Sequence, residues 1–320
     1  MKTIIRAGTT FAFLLWITLQ ASPLWTQNRH SNTPIQFGLT SSVIESDVNP
    51  NDALAAAKVW ADLLGKGTGL FNSADARIFA DAASALTAIN SREADIIAMA
   101  TSEYLDIEKN LQAVPSLTWV ISGQVESQFL MLVRNDSGIQ TIADLRNKRI
   151  AFPKGGRSTL IPLWLDVLLY ENNLGEKESF FREIKQVQKT SQAILPIFFK
   201  QMDVGLIAAS TYETAVALNP QIGRQLKVLA TSPKLVTQVT CLPSTWSLEK
   251  RRAYIQAAQK LHETPGGLQG FQLFKLDRLV PWEPTYANNV RELMRKKKLA
   301  QSASTIAARS SLTAEAVTPK

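Results

Sequence analysis

The stretch Arg149–Leu169, "RIAFPKGGRSTLIPLWLDVLL", decides how the rest of the chain is read. A short apolar run breaks into Pro153-Lys154-Gly155-Gly156-Arg157-Ser158-Thr159 and then resumes as a long apolar segment. The first part predicts a strand and the last a helix, with Gly and Pro punctuating the change. A connecting turn needs the glycines, but not two cations and two adjacent hydroxyls. A helix N-terminus carries unpaired backbone N–H groups and the positive end of the helix dipole, so oxyanions settle there. Gly155 and Gly156 would let the backbone approach such a ligand. Ser158 and Thr159 would cap the helix and donate hydroxyl hydrogen bonds, while Lys154 and Arg157 would add positive potential. A capped strand-to-helix turn with two surface cations is the competing explanation.

The same order of elements recurs on both sides. Upstream, "PIQFGLTSS" (Pro34–Ser42) predicts a strand running into a hydroxyl-rich loop. Asn49–Gly67 follows as a helix, with Asp52 as its N-cap and Gly65 and Gly67 as its stop. "GLFNSA" (Gly69–Ala74) predicts a strand, Asp81–Ala94 a helix, and Asp95–Leu105 a buried strand breaking into polar residues. Gln128–Gly138 is a strong strand, and Thr141–Lys148 a short helix and turn. Beyond the opening stretch, Ser179–Gln188 predicts a strand, Thr190–Met202 a helix, and Asp203–Val216 a buried strand ending in hydroxyls. Gln225–Pro243 gives one or two returning strands, before a helix-rich end through Glu249–Glu263 and Tyr286–Lys298.

Strand, loop and helix without tight hairpins indicate an α/β protein, with mainly parallel sheets flanked by helices on both faces. Two blocks of this grammar imply two lobes. Ligands of open α/β sheets bind beyond the carboxyl ends of the strands. Here those ends carry Thr40-Ser41-Ser42, Thr101-Ser102, Gly155–Thr159 and Ser210-Thr211-Tyr212. A single Ser/Thr pair is normally a cap or a turn. Repetition at equivalent places is what points to a ligand.

The bulk properties agree. The 320 residues are 45% hydrophobic and 19% charged, enough for about two ordinary domains with sizeable cores. Lys2 and Arg6 precede the uncharged, mostly apolar run Ala7–Ala21, the layout of a secretory signal peptide over residues 1–21. The run is short of the roughly 20 residues of a membrane span. A retained N-terminal anchor is the alternative, and the lack of a following Cys disfavours a lipoprotein. The mature chain is expected to start near Ser22 and to act in the periplasm.

Loss of Lys2 and Arg6 lowers the net charge from +8 to +6. Much of the excess sits at Arg295-Lys296-Lys297-Lys298, which reads as a solvated helix end rather than a nucleic-acid or membrane patch. The Ser/Ala/Thr-rich tail, 299–320, is expected to be disordered.

Catalytic and cofactor signals are thin. Cys241 stands alone, which excludes an intrachain disulfide and a Cys-rich zinc site. His30, in a polar leader, and His262 are the only imidazoles, and no metal motif is present. The P-loop pattern is absent, and "GKGTG" (Gly65–Gly69) lacks dinucleotide-binding spacing. No Gly-x-Ser-x-Gly elbow occurs. Glu103 and Asp203 are potential bases without an evident nucleophile, and His262 suits a structural role. A hydrolase or transferase is therefore disfavoured, and no cofactor is expected. Trp60, Trp119, Trp164, Trp246 and Trp282 are assigned mostly to packing.

Three segments carry a family resemblance. "DSGIQTIADLRNKRIAF" (Asp136–Phe152), "ALTAINSREADIIAMATSEYL" (Ala85–Leu105) and "QAILPIFFKQMDVGLIAASTYE" (Gln192–Glu213) resemble, in order and spacing, substrate-binding proteins of phosphonate/phosphate/phosphite ABC transporters. The resemblance runs from about Phe37 to Pro233 and implies the type 2 periplasmic binding fold. In that fold two α/β lobes, joined by two crossing segments, close over a small solute. It places the first part of lobe one at 35–130, lobe two at 131–232, and the return to lobe one with the C-terminal helices at 233–295.

Carried over by residue, the lobe-one contacts are Ser41, Ser42, Ser102 and Tyr104, with Ser127 just before the crossing strand. In lobe two, Ser158 and Thr159 match the pair that grips the phospho-oxygens, beside Arg157, and Ser191 and Ser210 fall in the remaining cleft loops. Members that bind aminoalkyl phosphonates place acids in the loops held here by Lys189–Gln192 and Ala208–Tyr212, where none is present. The expectation is a monomeric receptor for a compact oxyanion without an amine, delivering it to an inner-membrane ABC permease. Signalling to a membrane sensor kinase is the alternative, and no nucleic acid is involved.

Overall fold

The computed structural model describes residues 34–315, with side chains to residue 302. The expected signal peptide, the start near Ser22 and His30 lie outside the described residues. From β1 (Ile35–Thr40) the chain passes a short 3-10 turn into α1 (Pro50–Thr68), β2 (Ala74–Phe79) and α2 (Ala82–Asn90). It continues through β3 (Ile96–Ala100), α3 (Thr101–Ile107) and β4 (Ala113–Val120). β5 (Phe129–Arg134) opens a second sheet, followed by β6 (Arg149–Pro153), α4 (Ile161–Glu171), α5 (Lys177–Phe180) and β7 (Glu183–Val187). α6 (Ser191–Phe198), β8 (Val204–Ala208), α7 (Ala209–Leu218), α8 (Pro220–Gln225) and β9 (Leu226–Thr231) complete that block. The chain then returns as β10 (Gln238–Pro243), α9 (Leu248–Gln259), α10 (Pro265–Phe274), β11 (Arg278–Pro281) and α11 (Asn288–Glu315).

The sheets have the orders β11-β4-β10-β3-β1-β2 and β7-β6-β8-β5-β9. Parallel pairing holds β1 to β2 and β3, and β6 to β7 and β8. All pairs made by β4, β5, β9, β10 and β11 are antiparallel, because each crossing delivers the chain to the neighbouring lobe running the other way. The sheets are thus mixed, while β5 alone runs against the rest of its sheet. The two crossings meet as a backbone pair: Ser127 N donates to Leu235 O at 2.7 Å, and Leu235 N to Ser127 O at 2.8 Å.

Side-chain alternation explains why both faces of each sheet are covered. Phe129, Met131 and Val133 of β5 enter the core shared with α4, while Leu130 and Leu132 enter the one shared with α6. Ile96 and Ala98 of β3 face Trp60 and Phe271, and Ile97 and Met99 face the α2 side. Trp60, Trp119, Trp164 and Trp246 are buried in these cores, and Trp282 packs edge-on against Tyr104 and Tyr286.

Several local expectations shift. Asn49, not Asp52, caps α1, its side chain accepting from Asn51 N at 2.8 Å. Gly65 and Gly67 lie inside that helix, which ends at left-handed Gly69. Gly65 is there for contact, since a Cβ would fall 2.5 Å from the Phe71 ring. β2 begins at Ala74 rather than Gly69, because its parallel register aligns Ala74 with Ile35. Its Asp75 and Arg77 are exposed, as suits a sheet edge.

The polar ends of the β3 and β8 segments coil at once into α3 and α7. At the C-terminus, α11 runs on to Glu315, through most of the tail expected to be disordered. That stretch contains no Gly or Pro and is rich in Ala, a strong helix former. Val290 and Leu293 of α11 sit in the core of the second lobe, not the first. The basic run is largely paired: Arg295 with Glu292, Lys296 with Glu171 and Lys297 with Asp166. No helix among the described residues is long and apolar enough to cross a membrane.

Candidate functional site

The lobe-two wall is the opening stretch of sequence. After β6 the backbone takes positive φ at Gly155 (69°) and Gly156 (52°), then forms a 3-10 turn over Gly156–Ser158. Ser158 N donates to Gly155 O at 3.0 Å and Thr159 N to Gly156 O at 3.3 Å. α4 starts only at Ile161, with no side-chain cap. Ser158 and Thr159 therefore do not cap the helix; the tighter turn, closed by the two glycines, consumes their amides, and both residues line the cleft.

The lobe-one wall is built around Glu103, at the third position of α3. Its Oε2 accepts from Thr40 Oγ1 at 2.7 Å, Ser42 Oγ at 2.6 Å and Ala100 N at 3.0 Å. Ser41 Oγ donates to Ala80 O at 2.8 Å. The expectation that no nucleophile stands beside Glu103 is thus corrected, since Ser42 does. The contact gathers three donors, two hydroxyls and one amide, around a single carboxylate oxygen.

Across the gap the walls touch. Glu45 forms a backbone bridge with Gly155, and its Oε1 accepts from Arg157 N and Arg157 Nε, both at 3.1 Å. Ser46 Oγ donates to Gln188 O at 2.8 Å, and Gln238 Nε2 to Gly156 O at 3.0 Å. Beside these ties lies a cleft of about 560 Å³. Ser41, Ser42, Glu45 and Glu103 line it from one lobe, and Lys154, Gly155, Ser158, Thr159, Gln186 and Gln188 from the other.

The structure brings Ser41, Ser42, Ser158 and Thr159 together, with Arg157 held against Glu45 at the rim. The other candidates lie elsewhere. Ser102 is half-buried near the start of α3 and is not among the lining residues. Tyr104 packs with Trp282 and the α2-side core, and burial pushes its phenol up to about 12. Ser127 and Ser210 line a separate recess of about 490 Å³ at the crossing, together with Glu126, Glu213 and Lys234. Ser191 lines a shallow recess that shares Gln186 and Gln188 with the main cleft.

Glu45, Gln188 and Gln238 carried no signal in the sequence, because their roles arise across lobes. Glu103 could have been found as an acid in the first turn after a strand, where a side chain reaches back to the cap amide. The loops Lys189–Gln192 and Ala208–Tyr212 lack acids as expected, yet Glu45 and Glu103 supply two carboxylates from lobe one. The absence of an amine on the ligand does not follow. Among the described residues no cluster of His, Cys, Asp and Glu is arranged to hold a metal.

Two α/β lobes, paired crossings and a polar cleft between facing strand ends define a two-lobed solute-binding protein. Residues 43–286 match the family of periplasmic substrate-binding proteins of phosphonate ABC transporters, and the chain belongs to that family. Solved structures share the fold at low identity. A Xanthomonas citri protein bound to chloride ion is 14% identical with a TM-score of 0.63, over 84% of this chain and 99% of that one. A binding-protein component of an ABC phosphonate transporter from Pseudomonas aeruginosa is 16% identical with a TM-score of 0.58, over 85% and 89%. PhnD1 of Prochlorococcus marinus, in complex with methylphosphonate, is 16% identical with a TM-score of 0.55, over 82% and 97%. No curated protein is significantly similar in sequence.

Proposed function

We propose that this protein is an exported receptor that captures a small oxyanion of the phosphate, phosphite or phosphonate type and delivers it to an ABC permease. One observation carries the reading: the Gly155–Thr159 turn already holds an oxyanion, the carboxylate of Glu45. The mechanism is binding by fixed donors, with the two lobes excluding water, and it breaks no bond. Ser158 and Thr159 hydroxyls, the Arg157 amide and guanidinium, and Lys154 supply the donors. Charge-assisted hydrogen bonds of this kind are the strong ones.

The two carboxylates of lobe one favour a second reading, in which the far end of the ligand carries an ammonium facing Glu45 or Glu103. A thermal-shift and calorimetric panel of phosphate, phosphite, methylphosphonate, sulfate and aminoethylphosphonate separates the two. Replacing Ser158 and Thr159 together by Ala is expected to weaken oxyanion binding by at least about a hundredfold, two hydrogen bonds to a charged group each contributing about 1.5–3 kcal/mol. Undiminished binding in that variant would remove the turn from the site.

A further inference from the structure

Glu45 does more than line the cleft. We propose that its carboxylate is a displaceable internal ligand: it latches the lobes together by occupying the donors of the Gly155–Thr159 turn, and an incoming oxyanion competes for them. The competition half of this rests on the oxyanion reading above; the latch half does not.

The turn is shaped around this carboxylate. A Cβ on Gly156 would lie 2.3 Å from the Glu45 carboxyl carbon and 2.6 Å from each of its oxygens. A Cβ on Gly155 would lie 2.7 Å from Ile44 O. A larger residue at Gly155 would press on the lobe-one backbone, and one at Gly156 would push the Glu45 carboxylate out of the turn. The same carboxylate oxygen takes both a backbone amide and the guanidinium Nε of Arg157, which is how a bound anion would be received at such a turn.

The side chains of Arg157 and Glu45 are 19% and 13% exposed, so water screens the pair far less than it screens a surface ion pair. Glu45 and Arg157 belong to different lobes, so the bond can persist only while the lobes are close. The two donors cannot serve Glu45 and an external anion at once. Binding is therefore self-competitive, and the measured affinity is lowered by the fraction of molecules latched.

The test uses the full chain carrying Glu45→Gln, which keeps size and one carbonyl acceptor but loses the charge. Paired spin labels on one exposed position of each lobe report the gap without ligand. Cys241 is fully buried with its thiol pushed up by burial, so it stays unlabelled. E45Q is expected to shift the interlobe distances to longer values, and Glu45→Ala, which removes both acceptors, to shift them further. Distances identical to those of the unsubstituted protein in both variants would overturn the latch.

Calorimetric titration with phosphate and methylphosphonate gives the second arm. E45Q is expected to bind roughly tenfold more tightly, the loss of one charged competitor. Weaker binding would make Glu45 a ligand contact and overturn the competition. Opening of the gap in E45Q with no binding of either anion by any form would uphold the latch and sink the oxyanion reading instead.

Discussion

The two walls of the cleft start from the same local chemistry, a strand running into small hydroxylated residues, and end in opposite states. In lobe one the hydroxyls of Thr40 and Ser42 are already committed to Glu103. In lobe two, Gly155–Thr159 forms a turn that follows Lys154 and contains Arg157, and the acceptor it engages comes from the other lobe. One wall is an acid with its donors satisfied; the other is a set of donors that needs an acid. The difference shows that a hydroxyl-rich strand end is not a binding site by itself. Whether it receives a ligand depends on which carboxylate tertiary structure brings to it.

Three changes break or sharpen this contrast. The largest effect is expected at Gly155, whose φ of 69° and ψ of −171° is a conformation essentially reserved for glycine. Gly155→Ala should cost about 3 kcal/mol in strain and in displacing Ile44 O, and should part the walls; denaturant unfolding with an interlobe distance measurement reads both. A loss below 1 kcal/mol would mean that the turn is not held by lobe one.

Next comes Glu103→Ala, which strips the acceptor from Thr40, Ser42 and the Ala100 amide. It should cost about 2 kcal/mol while leaving the lobe-two turn intact. Calorimetry would then show oxyanion binding retained, whereas its loss would place Glu103 at the ligand rather than beneath it.

The smallest effect is expected far from the cleft, at the opposite end of the second sheet. Asp203 accepts from Arg149 N at 2.8 Å and from its Nε and Nη2 at 3.1 Å. Burial pushes this carboxyl up, but the hydrogen bonds from Arg149 outweigh it and hold the group below its ordinary 3.8. Its stabilisation is therefore complete above 3.8 and is lost as pH falls below that through the lower folded value. Asp203→Asn should cost about 1 kcal/mol at neutral pH, a difference that shrinks below 3.8, with ligand affinity unchanged. A pH-independent difference would show that the charge is irrelevant there.

What the chain itself determined is the set of buried strands and the turn between β6 and α4. Uncharged runs such as Ile96–Ala100 must be covered on both faces, and the adjacent glycines admit backbone angles that few other residues adopt. These are consequences of near neighbours, so they are legible without the fold. Elements with mixed signals went unread: β4 contains Pro115, and α3 and α7 carry Thr101-Ser102 and Ser210-Thr211 in their first turns, which read equally well as turns. The helices α8 and α10, each starting at a proline, and the short β11 were not foreseen either.

Only the tertiary structure decided what the turn faces. Glu45 meets Arg157 across 112 residues of chain, and Gln238 meets Gly156 across 82. Nothing in the local pattern of either partner encodes such a meeting, because it depends on two crossings bringing separate lobes edge to edge. The same distance in sequence hid the acidity of the cleft: its carboxylates arrive from the loop between β1 and α1 and from α3, not from the loops beside the turn.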